Sequence, residues 1–427
     1  MLKKFTSLFR LPELRNKVLF VLGMMALFRL AASIPVSGVN ADKLREFFSG
    51  NQIFGILNIF TGGSLSQLSL VMLGLSPYIT ALIILQLLTM IFPSLKDLYY
   101  EQGEQGREKF NTYARLMTLP LALLQGYGFL KLLEAKGVLA LSGLHLVADV
   151  IIITAGAIFL MWVGELISER GIGNGISLLI FAGIISRIPL DIFQVLRLID
   201  WSLPLPELFS QLSGYLLFLA IGFFIIAGVA FVSEAQRNLP VSYAKRVRGH
   251  RMYGGATTYL PIKVNQTGMI PLLFALSVLV FPQTIFNFLK TTNTSWVADI
   301  SSYLTTLFQN QFFYGSLYFF LVVVFTYFYT QISFEPHTIA ENLQKQGAFI
   351  LGVRPGQETT NFLSSTVNKI TLAGAIFLGL VAVVPITAQA ITGITVLTIG
   401  GTAILIVVSV ILETVRQVEA QIAMREY

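Results

Sequence analysis

VIIITAGAIFLMWVGELISERGIGNGISLLIFAGII, residues 150–185, is two apolar runs separated by one short polar turn. A membrane helix needs about 20 mostly apolar residues. Extended to their polar limits, the two runs reach Leu146–Ile167 and Ile176–Phe193, each long enough to span or nearly span a bilayer. The turn between them reads Glu169-Arg170-Gly171-Ile172-Gly173-Asn174-Gly175-Ile176-Ser177. Its Gly-x-Gly-x-Gly core is no nucleotide cradle, because such a site needs a preceding strand and a following soluble helix. Glycines that adopt positive φ instead predict a tight reversal between two membrane helices.

The same reading extends along the chain. Further spans are predicted at Val18–Ile34, Ser76–Phe92, Tyr113–Leu133, Tyr215–Val232, Thr267–Leu289, Leu317–Ile332, Leu372–Ala388 and Ile394–Val415, ten in all. Of 427 residues, 55% are hydrophobic and only 12% charged. Soluble domains carry about 25% charged residues, so lipid must solvate part of this surface. The absence of cysteine excludes disulfides, thiolate metal sites and cysteine nucleophiles. The three histidines, His145, His250 and His337, are too far apart in sequence to suggest a metal cluster. Val18–Ile34 exceeds the apolar core of a cleavable signal and no small-residue cleavage pattern follows it.

Orientation follows from Lys and Arg in the connections. With the N-terminus inside, twenty-one basic residues fall in cytoplasmic segments and seven in external ones. Both termini are therefore expected inside. Two cytoplasmic connections, 233–266 and 333–369, are several times longer than the usual 2–8 residues between bundled helices. They read as a docking platform or, alternatively, as tethers. Ten spans divide into two sets of five, and an odd number per set inverts the second half relative to the first. No sequence repeat accompanies that symmetry. The expected divisions are 1–17, a cytoplasmic segment; 18–193, the first half; 194–214, an external connection; 215–415, the second half; and 416–427, a short tail.

One segment does not fit a plain bundle. Gly62, Gly63 and Ser64 precede the apolar stretch 65–73, and Gly74 closes it. Ser64 could cap a short helix with Leu65, Leu68 and Met72 on one face. Nine helical residues rise about 14 Å, short of a core of about 30 Å. The segment reads as a half-helix in a pore mouth or as an interfacial helix. No Asp, Glu or His is placed at mid-span, which disfavours an ion-coupled transporter. Nor does a buried catalytic constellation favour a membrane enzyme. The amides Gln86, Gln125 and Asn265 lie within or beside spans, as gating contacts or as plain interhelical bonds.

Several of these stretches resemble the SecY family of protein-translocase channels. They are Phe60-Thr61-Gly62-Gly63 with Gly74-Leu75-Ser76-Pro77-Tyr78-Ile79, Gln86-Leu87-Leu88-Thr89, Met161-Trp162-Val163-Gly164-Glu165 and the Glu169–Ser177 turn. Tyr243-Ala244-Lys245-Arg246, Leu260-Pro261-Ile262-Lys263-Val264-Asn265, Gly352-Val353-Arg354-Pro355-Gly356 and Gly400-Gly401-Thr402 follow in the family's order. The resemblance implies an all-α membrane protein, with ten helices in a clamshell around an hourglass pore. It implies a plug at 61–74 that includes Gly62, Gly63, Ser64, Leu65, Leu68, Met72 and Gly74. Carried over by motif, the pore ring is Leu75, Ile79, Ile176, Ile180, Leu273 and Ile406, and a lateral gate holds Gln86, Gln125 and Asn265. Leu75 and Leu273 stand where relatives often carry Ile. Docking of the SecA ATPase or a ribosome would use Lys245, Arg246, Arg248, Arg251 and Arg354. His250-Arg251 stands where an Arg-Arg pair is common, and the tail after Val415 is short. The resemblance further implies SecE and SecG partner subunits, preprotein and signal-sequence substrates, membrane lipid, an inner-membrane location, no enzymatic step, and neither cofactor nor metal.

The charge bias predicts that a thiol introduced by Arg248→Cys reacts with a membrane-impermeant reagent from the cytoplasmic side. Labelling confined to the external side would overturn the topology.

Overall fold

The computed structural model describes residues 12–36, 61, 63–65, 67–100, 102–135, 137–139, 143–199, 204–243, 246–248, 251–253, 257–268, 270–289, 295–392 and 401–426. In the first half lie α1 (Pro12–Ala32), α2 (Ser76–Ile91), α3 (Pro93–Tyr100), α4 (Gly103–Ala135), α5 (Gly143–Arg170) and α6 (Gly175–Leu198). The second half begins with α7 (Leu205–Glu234), followed by β1 (Gln236–Tyr243), β2 (Arg246–Arg248), β3 (Arg251–Tyr253) and β4 (Thr257–Lys263). It continues with α8 (Ile270–Leu289), α9 (Ser295–Gln309), α10 (Gln311–Ser333), α11 (Pro336–Lys345), β5 (Ala348–Ile350), α12 (Gln357–Thr392) and α13 (Gly401–Glu426).

Each predicted span overlaps one of these helices. Among the described residues, six helices are long and apolar enough to cross a membrane. A seventh qualifies if α2 and α3, bent by 114° across a short break at Phe92, count as one span. Pro93 begins α3, and a residue before proline is pushed out of the helical region, which accounts for the break.

The Glu169–Ser177 turn shows why its sequence is so specific. Gly173 has φ +92°, and Gly171 has no room for a Cβ beside Val21 of α1. A Cβ at Gly175 would collide with the carbonyl of Gly164. Asn174 caps α6, its Oδ1 accepting from the Ile176 and Ser177 amides at 3.1 and 3.2 Å. The Gly175 amide donates to Ser168 Oγ at 2.9 Å. These contacts clamp α5 to α6 and bring the start of α6 to the centre of the bundle.

The expectation of an all-α chain is corrected by a three-stranded antiparallel sheet, ordered β4-β1-β5. Its strands come from both long connections. Leu239 pairs with Leu260, and Val241 with both Thr258 and Ile350. Leu239, Val241, Ile262, Ala348 and Ile350 form a small core with Ala340 of α11 and with Leu363 and Val367 of α12. The described parts of these loops are therefore folded. β5 is only three residues long and pairs across a separation of about a hundred residues, so no local pattern announces it. Pro240 is tolerated in the middle strand because β5 reaches only Val241–Tyr243.

The expected half-helix after Ser64 is also corrected. Its described residues form consecutive turns, including Leu65, Leu68 and Met72. Leu68 has φ +43°, which a regular helix cannot contain. Its carbonyl accepts from the Val36 amide at 2.7 Å, and the Leu70 amide donates to Ile34 at 3.0 Å. Pairing with the end of the first span thus replaces helical hydrogen bonds. Ser64 braces the fold differently from a cap, its Oγ donating to the carbonyls of Thr61 and Val71. Gly62 lies outside the described residues.

Candidate functional site

One large buried apolar cluster draws on α1, α2, α5–α8, α10, α12 and α13. Leu75, Ile180, Leu273 and Ile406 are buried within it, and Ile79 and Ile176 pack against it. All six motif-derived ring residues therefore meet around one cluster, from α2 and its N-cap, α6, α8 and α13. Ile176 lies at its margin, since it also packs against the neighbouring group of Tyr78, Leu85, Phe110 and Met161. Ile184, four residues beyond Ile180 and so on the same helix face, is buried in the central cluster. Sequence reading did not single it out; the i,i+4 spacing from Ile180 was the available signal.

The turn segment after Thr61 rests between this cluster and a second one. Leu65, Leu68, Met72 and Leu73 pack with Ala122, Phe129 and Leu133 of α4 and with Val150, Ile153 and Ala157 of α5. On its other side Val71 joins the central cluster beside Leu75. Gly156 of α5 makes the seat possible: a Cβ there would collide with the Leu70 carbonyl. At the other end, the Arg187 stem packs over Gly63, whose φ is +83°. Gly74, with φ +57°, lies against Thr61 and closes the segment on itself.

The helices carrying Gln86 and Gln125, α2 and α4, both pack on α8, into which Asn265 leads. Gln86 Nε2 donates to the Tyr329 hydroxyl of α10 at 3.4 Å, a long bond between the two halves. Phe274 of α8 stacks edge-on against Tyr329 at 5.5 Å. Gln86 Oε1 and Asn265 Oδ1 are buried without partners among the described residues. Gln125 is half-buried. Amide hydrogen bonds between membrane helices are weak, about 0.6 kcal/mol on average.

On the platform, Arg354 is exposed between Gly352 at φ +84° and Gly356 at φ +101°. Thr359 Oγ1 donates to the Arg354 carbonyl at 2.8 Å, which fixes the turn. Arg248 pairs with Arg251, and Arg246 with Tyr253, in the β2–β3 hairpin. Lys245 lies outside the described residues. Beneath the platform Arg416 of α13 donates to Glu234 Oε1 at 2.7 Å and to the Ser233 carbonyl at 2.9 Å, tying α13 to the end of α7. Burial, and then the nearby Arg416 guanidinium, push the Lys263 amine below its ordinary range.

The SecY family model matches residues 69–415. The chain belongs to the SecY family. The protein translocase subunit SecY of Mycobacterium bovis is 40% identical over 453 residues, covering all of this chain and 99% of that protein. A solved structure described as a protein-conducting channel aligns with TM-score 0.67 at 19% identity, covering 94% of this chain and 91% of the other. A second, of a SecY whose plug domain stabilises the closed state of its channel, aligns with TM-score 0.63 at 20% identity, with the same coverage. These two structures establish the shared fold. As a SecY-family chain with several long apolar helices, this is a multi-pass membrane protein.

One carboxylate in this SecY-family chain escaped the sequence reading. Asp149, near the start of α5, is 3% exposed, and its Oδ2 has no partner among the described residues. It lies toward the expected outer end of the span and away from mid-span. The seating of the 61–74 segment generates a prediction. Gly156→Ala should displace the Leu70 backbone, at an overpacking cost of about 1–3 kcal/mol, and raise the resting ion conductance of reconstituted channels. Gly23→Ala, where a Cβ meets nothing within 4 Å, should leave it unchanged. Equal conductance in both variants would contradict the seat.

Proposed function

We propose that this chain is the channel subunit of a protein translocase, passing unfolded secretory polypeptides across the membrane and releasing membrane segments sideways into lipid. The observation that carries this reading is the meeting of Leu75, Ile79, Ile180, Leu273 and Ile406 around one apolar cluster drawn from both halves. Membership of the SecY family and the full-length similarity to a translocase subunit support it. Aliphatic side chains offer a passing chain or hydrated ion no hydrogen bonds, so a narrow apolar neck resists wetting while packing around varied polypeptides. In this reading the six motif-derived residues, with Ile184, form the ring, and the 61–74 segment is the plug above it.

Helices α1, α2 and α4–α6 would form one half of a clamshell, and α7, α8, α10, α12 and α13 the other. The seam between them would open where Gln86 meets Tyr329, with Gln125 and Asn265 on adjoining elements. Arg354 on its fixed turn, with Lys245, Arg246, Arg248 and Arg251, would receive the SecA ATPase or a ribosome, whose RNA attracts cationic side chains in a salt-dependent way. SecE and SecG subunits would complete the complex in the cell inner membrane, with both termini cytoplasmic. The chain itself needs neither cofactor nor metal for this task. A small-solute transporter with inverted repeats is the competing class. It would be favoured by solute flux into liposomes without preprotein import.

Ile79→Asn combined with Ile406→Asn should admit water and ions to the closed channel. Placing an amide in a dry apolar site costs about 1–3 kcal/mol, which hydration of the neck relieves. Single-channel recording should show raised resting conductance. A folded double variant that conducts like the wild type would refute the ring.

A further inference from the structure

One face of α10 carries Tyr314, Tyr318, Val322, Phe325 and Tyr329. Spacings of four, four, three and four place them in one stripe along the helix. Four of them are buried in the central apolar cluster, and Tyr329 packs against it. At one end of the stripe the Tyr329 hydroxyl accepts from Gln86 of the opposite half. At the other end the Tyr314 and Tyr318 rings lie 6.3 Å apart and are 6% and 1% exposed. Neither hydroxyl has a hydrogen-bond partner among the described residues. Both residues belong to the same buried cluster as Leu276 and Leu279 of α8, a helix on which α10 packs.

A hydroxyl taken out of water without a new hydrogen bond destabilises the state that buries it. Packing of the closed cluster imposes this penalty twice on one helix face. Movement of the halves apart would expose the stripe to water or to the polar backbone of an entering chain, and either supplies the missing partners. We propose that Tyr314 and Tyr318 form a built-in bias toward opening, set against the apolar packing and the Gln86–Tyr329 bond that hold the channel closed. This rests on the channel reading above. The pair acts by lowering the free energy that a signal sequence must supply to shift the closed population. Both are positioning residues for the gate, with no contact to the passing chain required.

Tyr→Phe removes only the hydroxyl and keeps the ring, so it separates this penalty from packing. The test uses the complete translocase reconstituted in liposomes, with Tyr318→Phe, Tyr314→Phe and the double variant. Import is measured for one preprotein carrying a full-strength signal and for the same preprotein carrying a weakened one. The inference predicts weak-signal import reduced about fivefold or more, strong-signal import retained, and a thermal unfolding midpoint equal to or above that of the wild type. Unchanged or increased weak-signal import would overturn it. So would a lowered midpoint, which would mean that the hydroxyls are partnered in the closed state. Failure of the wild type to import the strong-signal preprotein would instead remove the channel reading itself.

Discussion

A closed pore through a bilayer needs a dry apolar constriction, and in the proposed function that constriction is also the core that would join the two halves. The cluster around Leu75, Ile180, Leu273 and Ile406 draws on α1, α2, α5–α8, α10, α12 and α13. Its packing would hold the halves together and exclude water in one stroke. Such a core must still come apart. The contacts seen there fit this: a 3.4 Å bond from Gln86 to Tyr329, and amide oxygens at Gln86 and Asn265 without partners among the described residues. A strong ionic lock at this position would make the closed state too deep to leave.

The surrounding elements take their places from that constraint. Glycines appear where backbones must approach closely: Gly156 under the Leu70 carbonyl, and Gly175 against Gly164. Ion pairs join helices, Arg115 of α4 with Glu165 of α5 at 2.8 Å and Arg416 of α13 with Glu234 of α7 at 2.7 Å. The sheet of β4, β1 and β5 shares its core with α12, and β4 runs through Asn265 into α8. A force applied to the platform therefore has a short covalent path to Leu273 and Phe274.

Much of this was legible in the sequence because membrane helices announce themselves by length and apolarity. Every predicted span overlaps a helix, and the Gly-x-Gly-x-Gly turn reverses the chain as its glycines predict, with Gly173 at positive φ. The sheet was hidden because its strands are short and β5 pairs from a distant loop. The segment after Ser64 departs from the helix that the spacing of Leu65, Leu68 and Met72 predicts, because backbone pairing to Ile34 and Val36 overrides it. Tyr314 and Tyr318 looked like ordinary aromatics of a membrane helix. Only burial with hydroxyls that have no partner among the described residues sets them apart, and no spacing rule reveals that.

The central claim is that a polypeptide in transit passes through the apolar neck. Site-specific crosslinking to a stalled preprotein tests it most directly. A cysteine introduced by Ile406→Cys should form a disulfide with a cysteine in the middle of a preprotein arrested during translocation. Phe224→Cys, on α7 where the native side chain is 73% exposed, should not. Crosslinks at Phe224→Cys without any at Ile406→Cys would contradict the account.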